Sequence, residues 1–200
     1  KSNSVCEEPC NESCKHFEFV NEDIELLKNL GIKAFRFSIE WSRVEPLNGE
    51  YDQTAISHYV EKANKLIENN ITPIITFHHF TTPDWLLKEG LWASALTVNK
   101  FVEYVNKMMT HLPKDIEYFN TINEPGIFAM FGYYSNQKFP PGVQNEKTFI
   151  KASDNIIQAH KESMKVIKQH NTKAKVGMTH ALHEWDDNDK SLLNKYLKYH

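Results

Sequence analysis

The chain has 200 residues, 40% of them hydrophobic and 24% charged, which suits one large globular domain or part of a bigger one. A net charge of −3 gives no footprint for nucleic acid or an anionic membrane, and no apolar run approaches the roughly 18 residues of a membrane span, so neither partner is expected. The opening "KSNSVCEEPC" lacks the apolar stretch of a signal peptide. Sequons at Asn11 and Asn70 would matter only in a secretory setting; the compartment is not fixed, the cytoplasm being favoured, and the oligomeric state is left open.

Residues 1–13 read as a flexible N-terminal arm. Cys6, Cys10 and Cys14 lie close together with His16 just after, and zinc is the sharp reading of that cluster. All the candidates fall in one polar stretch with no second ligand-bearing arm, so incidental thiols, no metal and no cofactor are expected.

From there two periodicities alternate. "FVNEDIELLKNLG" has Ile24, Leu27 and Leu30 at helical spacing and a stop at Gly31. "IKAFRFSIEW" reads as a strand with Phe35, Phe37 and Ile39 on one side. "TAISHYVEKANKLIENN" is helical, with Thr54 as candidate cap and Ile56, Val60, Ala63 and Ile67 as its apolar face. "ITPIITFHH" is a strand, "TVNKFVEYVNKMMTHL" a helix, "IEYFNTIN" a strand, "EKTFIKASDNIIQAHKESMKVIKQH" a long helix and "AKVGMTH" a strand. Strands recurring every roughly 35 to 45 residues with helices between them are the pattern of parallel βα units. Near-continuous apolar strands fit a parallel sheet covered on both faces. The fold class is therefore α/β, with residues 1–200 forming one domain.

Seven glycines and no G-x-G-x-x-G argue against a doubly wound nucleotide-binding sheet. A (β/α)₈ barrel instead places functional residues at the C-terminal ends of its strands. The unusual residues lie there: Trp41 and Arg43, His78 and His79, Asn123 and Glu124, His180 and His183. Glu124 beside Asn123 suits general acid/base work, because partial desolvation lets a carboxyl group hold its proton nearer neutral pH. Asn123 and His79 can hydrogen-bond hydroxyl groups, and Trp41 and Trp85 are candidate platforms for a sugar ring, with core or rim packing as the commoner use of tryptophan. Arg36 alternates with Phe35 and Phe37 and so should face the barrel interior, where a buried guanidinium needs a carboxylate partner. Arg36 and Arg43 are the only arginines in the chain.

"FRFSIEWSRVEP", "TFHHFTTPDWL", "NTINEP" and "GYYSNQKFPPG" resemble the family-one glycoside hydrolases, the β-glucosidase group, in order and spacing from about Cys14 to at least His180. The resemblance implies a (β/α)₈ barrel and hydrolysis of β-glycosides, including oligosaccharides, with retention of configuration. It implies Glu124 as the acid/base, Asn123 and His79 as residues that hold glycone hydroxyls, and Arg36 as support for the nucleophile. It also implies that the segment is a partial barrel of about four consecutive βα units, strands two to five of the eight. The family's nucleophile motif, Thr/Ser-Glu-Asn-Gly, is absent from these residues. Glu40, Glu45, Glu89 and Glu184 are carboxylates without that context, so the chain by itself is expected to be inactive. A non-catalytic carbohydrate-binding remnant of the same barrel is the alternative. "GLW" at Gly90 to Trp92, Phe80 and Gly126 depart from the usual pattern and touch sugar preference rather than reaction type.

Overall fold

The computed structural model describes residues 13–135 and 139–182. In chain order these form α1 (Val20–Asn29), β1 (Ala34–Ser38), α2 (Trp41–Val44), α3 (Gln53–Glu68) and β2 (Thr72–His78). Then come α4 (Ala95–Met109), β3 (Tyr118–Asn123), α5 (Pro125–Ala129), α6 (Glu146–His170) and β4 (Lys175–Thr179). The four strands form one parallel sheet in sequence order, β1-β2-β3-β4. The α/β class expected from periodicity is what the chain adopts, with four parallel strands alternating with helices among the described residues. Cys6, Cys10, His183 and Glu184 lie outside the described residues, and Cys14 is exposed.

Local chemistry explains where the helices begin and end. The Asp52 carboxylate, not the expected Thr54, caps α3, accepting from the N–H groups of Thr54 and Ala55. Ser94 caps α4 and Asn145 caps α6 in the same way. Gly31, at φ +70°, ends α1 with paired bonds from Gly31 N to Lys28 O and from Ile32 N to Leu27 O. Leu30 sits at that end and is 75% exposed, so it is not part of the buried face that Ile24 begins.

One face of the sheet is covered by helices. Phe77 stacks parallel to Phe119 and meets Tyr104 of α4 edge-on. The Tyr104 hydroxyl reaches Ile39 O at 3.1 Å and Phe77 O at 3.3 Å, tying the ends of β1 and β2 together. Trp41, 1% exposed, stacks on Tyr104 and meets Phe101 and Trp85 edge-on. It is a core residue rather than a sugar platform, because α2 turns it back under the helix layer. Trp85 donates its indole N–H to Glu45 O and is likewise packing. The opposite face, which carries Arg36, Thr76, Asn120 and Thr179, is left open by the described helices, although Thr76 and Asn120 are themselves buried.

Candidate active site

The polar residues of the open face gather at the C-terminal ends of the strands. Arg36 Nη1 donates to Asn123 Oδ1 at 3.0 Å and to Thr179 Oγ1 at 3.3 Å, and Thr179 Oγ1 donates to Asn123 Oδ1 at 2.9 Å. A guanidinium can only donate, so it fixes which end of the Asn123 amide faces it. The Nδ2 group is thereby left as the donor for a ligand. Arg36 thus lies on the expected face, but it is exposed and held by an amide and a hydroxyl rather than buried against a carboxylate.

Asn123 reaches this face through an irregularity. Asn120 pairs with Gly177 and Asn123 with Thr179, so three steps along β3 match two along β4. The extra residue is a bulge, a device that re-aims a side chain. Asn120 Nδ2 reaches the hydroxyls of Thr76 and Thr179 on the open face, whereas Thr121 points to His160 on α6. Strict alternation would send Asn123 the way of Thr121.

Glu124 follows at once, half-buried, with φ +46° and ψ 57°. A left-handed backbone is costly for a residue with a side chain, and a following proline disfavours helical backbone further. The strain is held by Glu124 N bonding to Thr179 O at 2.9 Å, and by Pro125 opening α5. Strained residues that the surroundings over-determine cluster at functional sites. Phe80, at the end of the neighbouring strand, is a second one, with φ +72°.

The two adjacent histidines face opposite ways. His78 is buried, bonds through Nε2 to the Thr82 hydroxyl, and packs edge-on to Trp92 and Phe128. Its burial, with His79 adding a little, pushes its pKa down to about 3. His79 stands exposed at the rim with Nδ1 3.0 Å from Ser38 Oγ. Partial desolvation and then the Arg36 charge lower its pKa, with Glu124 and Glu40 pulling the other way. A neutral imidazole, one nitrogen donating and one accepting, suits a hydroxyl ligand.

Arg36, His79, Asn123 and Glu124 therefore share one rim. Of the other rim candidates, Arg43 stacks over Phe17 away from it. His180 is exposed beyond β4 and interacts electrostatically with His160. Sequence reasoning missed Ser38, Thr81 and Thr179, since hydroxyl residues near strand ends carry no signal of their own. Among the described residues no group of His, Cys, Asp and Glu is arranged to hold a metal ion.

Residues 2–195 match the family model described as glycosyl hydrolase family 1. Over 167 residues the chain is 32% identical to beta-glucosidase A of Acetivibrio thermocellus, covering 83% of this chain and 37% of that protein. It is 34% identical over 163 residues to 6-phospho-beta-galactosidase of Staphylococcus epidermidis, covering 80% of this chain and 34% of the relative. The fold superposes on a family 1 β-glucosidase from Thermotoga maritima with a TM-score of 0.88 at 27% identity, covering 93% of this chain and 42% of that one. The chain thus spans well under half the length of these relatives, and its four parallel strands, alternating with helices, are part of a (β/α)₈ barrel.

Proposed function

The chain belongs to glycosyl hydrolase family 1, and on that premise we propose that it carries the acid/base half of a retaining β-glycosidase site. Glu124 is the acid/base, Asn123 and His79 hold hydroxyls of the glycone, and Arg36 supports the nucleophile. The observation that carries this reading is the bulge in β3, which delivers Asn123 to the open face and leaves Glu124 strained on the rim beside His79 and Arg36.

In the first step Glu124, protonated, gives its proton to the glycosidic oxygen as the bond to the anomeric carbon breaks. A second carboxylate traps that carbon as a covalent glycosyl ester. In the second step Glu124, now ionised, takes a proton from water, whose oxygen displaces the ester with net retention. Such pairs of carboxyl groups stand about 5 to 5.5 Å apart. The chain contains no carboxylate in the nucleophile's sequence context, so no residue of this chain is assigned the trapping role. Alone, the 200-residue chain is expected to hydrolyse no aryl β-glucoside above background, since general acid catalysis supplies only about 10² to 10⁴-fold. Its relatives include a beta-glucosidase and a 6-phospho-beta-galactosidase, and the plain β-glucoside is the substrate class proposed.

The test is Glu124→Gln in the full-length protein. Turnover of an unactivated disaccharide should collapse. Bond breaking with an activated aryl leaving group should suffer far less, and added azide should restore turnover and yield the β-glycosyl azide. Wild-type rates on the disaccharide would remove Glu124 from the role.

A further inference from the structure

The geometry points to Thr81 as a positioning residue for His79, acting through a hydrogen bond to Glu40 that holds the turn on which His79 is carried. This inference rests on the sugar-binding role proposed for His79.

Glu40 is a fixed point at the end of β1. Its backbone N–H donates to the Tyr59 hydroxyl at 3.2 Å. Its Oε1 caps α2, accepting from Ser42 N at 3.3 Å and Ser42 Oγ at 2.6 Å. The remaining oxygen, Oε2, accepts from Thr81 Oγ1 at 2.7 Å. That bond crosses from the end of β1 to the loop after β2. The next residue is pinned on the other side: Thr82 Oγ1 lies 3.1 Å from His78 Nε2 and accepts from Trp92 Nε1 at 3.1 Å.

His79 and Phe80 therefore lie between two anchors, buried His78 behind and the Thr81–Thr82 pair ahead. Phe80 holds a left-handed backbone there, φ +72°, its ring packed against Phe128 and Phe139. A strained conformation persists only where its surroundings over-determine it. The ring contacts fix one side of the turn, and the Thr81 hydroxyl fixes the other. Without that hydroxyl the turn can relax, and His79 then loses its place 3.0 Å from Ser38 Oγ. The Glu40 carboxylate is already oriented by Ser42, which leaves Oε2 directed at the Thr81 hydroxyl. Glu40, which in the sequence is one of several carboxylates without the nucleophile's context, thus acts as a post for the β2 turn.

The experiment is a double-mutant cycle in the full-length protein, read on kcat and KM for a β-glucoside. Thr81 is exposed and valine has its shape, so Thr81→Val removes the hydroxyl without disturbing the core. The expected result is a KM raised about three- to tenfold, the scale of one hydrogen bond, with kcat changed by less than about twofold. Thr81→Ser should restore the wild-type KM. In a His79→Ala background Thr81→Val should add nothing, because a positioning effect needs the group it positions. An unchanged KM in Thr81→Val, or the same increase with and without His79, would overturn the inference. Glu124→Gln run alongside separates the two levels. If it collapses turnover while Thr81→Val is silent, only the positioning role is wrong; if it keeps wild-type rates, Glu124 loses its role and the positioning role is decided by the His79 cycle alone.

Discussion

Replacing Glu124 by glycine should make the protein more stable, and the size follows from its backbone. Glu124 sits at φ +46°, immediately before Pro125. A left-handed residue bearing a Cβ costs about 1–2 kcal/mol, which glycine does not incur. Against that, glycine loses about 0.5–1 kcal/mol more chain entropy on folding. The difference favours glycine by about 0–1.5 kcal/mol, or up to about 6 °C in Tm for a domain of this size. Alanine separates backbone from carboxylate, since Glu124→Ala removes the charge but keeps the strain. The comparison is therefore Glu124→Gly against Glu124→Ala, by thermal and urea unfolding of the same preparation. In an ordinary helical or extended position glycine would be the less stable of the two, so the sign itself is diagnostic. A glycine variant no more stable than the alanine variant would refute the claim that strain is stored at this residue.

Other outcomes follow from individual contacts. His78 is buried neutral with its pKa pushed down to about 3, so its contribution is intact above the unfolded value near 6.5 and is lost progressively as pH falls from there towards 3. Between pH 7 and pH 5 this should cost about 2 kcal/mol, visible in urea titrations and absent in His78→Phe; an identical slope in the variant would remove His78 as its source. Trp41→Ala, emptying a site that is 1% exposed, should destabilise by about 3–5 kcal/mol, whereas a surface sugar platform would lose little stability. The open face, with β1 and β4 each lacking a second neighbour among the described residues, should drive the purified chain to associate; concentration-independent elution as a monomer would refute this.

Much of the architecture was legible because period alone separates helix from strand. The apolar positions of α3 and α6 recur at helical spacing, and β2 and β3 are short and nearly continuous in apolar residues. The site was partly legible: histidine, asparagine and glutamate at the ends of apolar strands are conspicuous wherever the chain goes next. Trp41 was left open between platform and packing, since an aromatic residue just past a strand can turn outward to a ligand or inward to the core, and only α2 selects the inward course.

What the sequence determined by itself is the order of parallel βα units and the identity of the rim residues, because both depend on local pattern and on which side chains have chemistry to offer. Which face each rim residue takes was decided by tertiary structure. The bulge in β3 arises from pairing with β4, residues more than fifty positions away, and it reverses the side on which Asn123 emerges. The left-handed backbone of Glu124 and Phe80 is no local preference of either residue. It is held by a Thr179 carbonyl in one case and by packing against Phe128 and Phe139 in the other. Arg36 takes an amide and a hydroxyl as partners because pairing of the strands brings Asn123 of β3 and Thr179 of β4 within its reach. These choices depend on contacts between distant segments, and no local pattern encodes them.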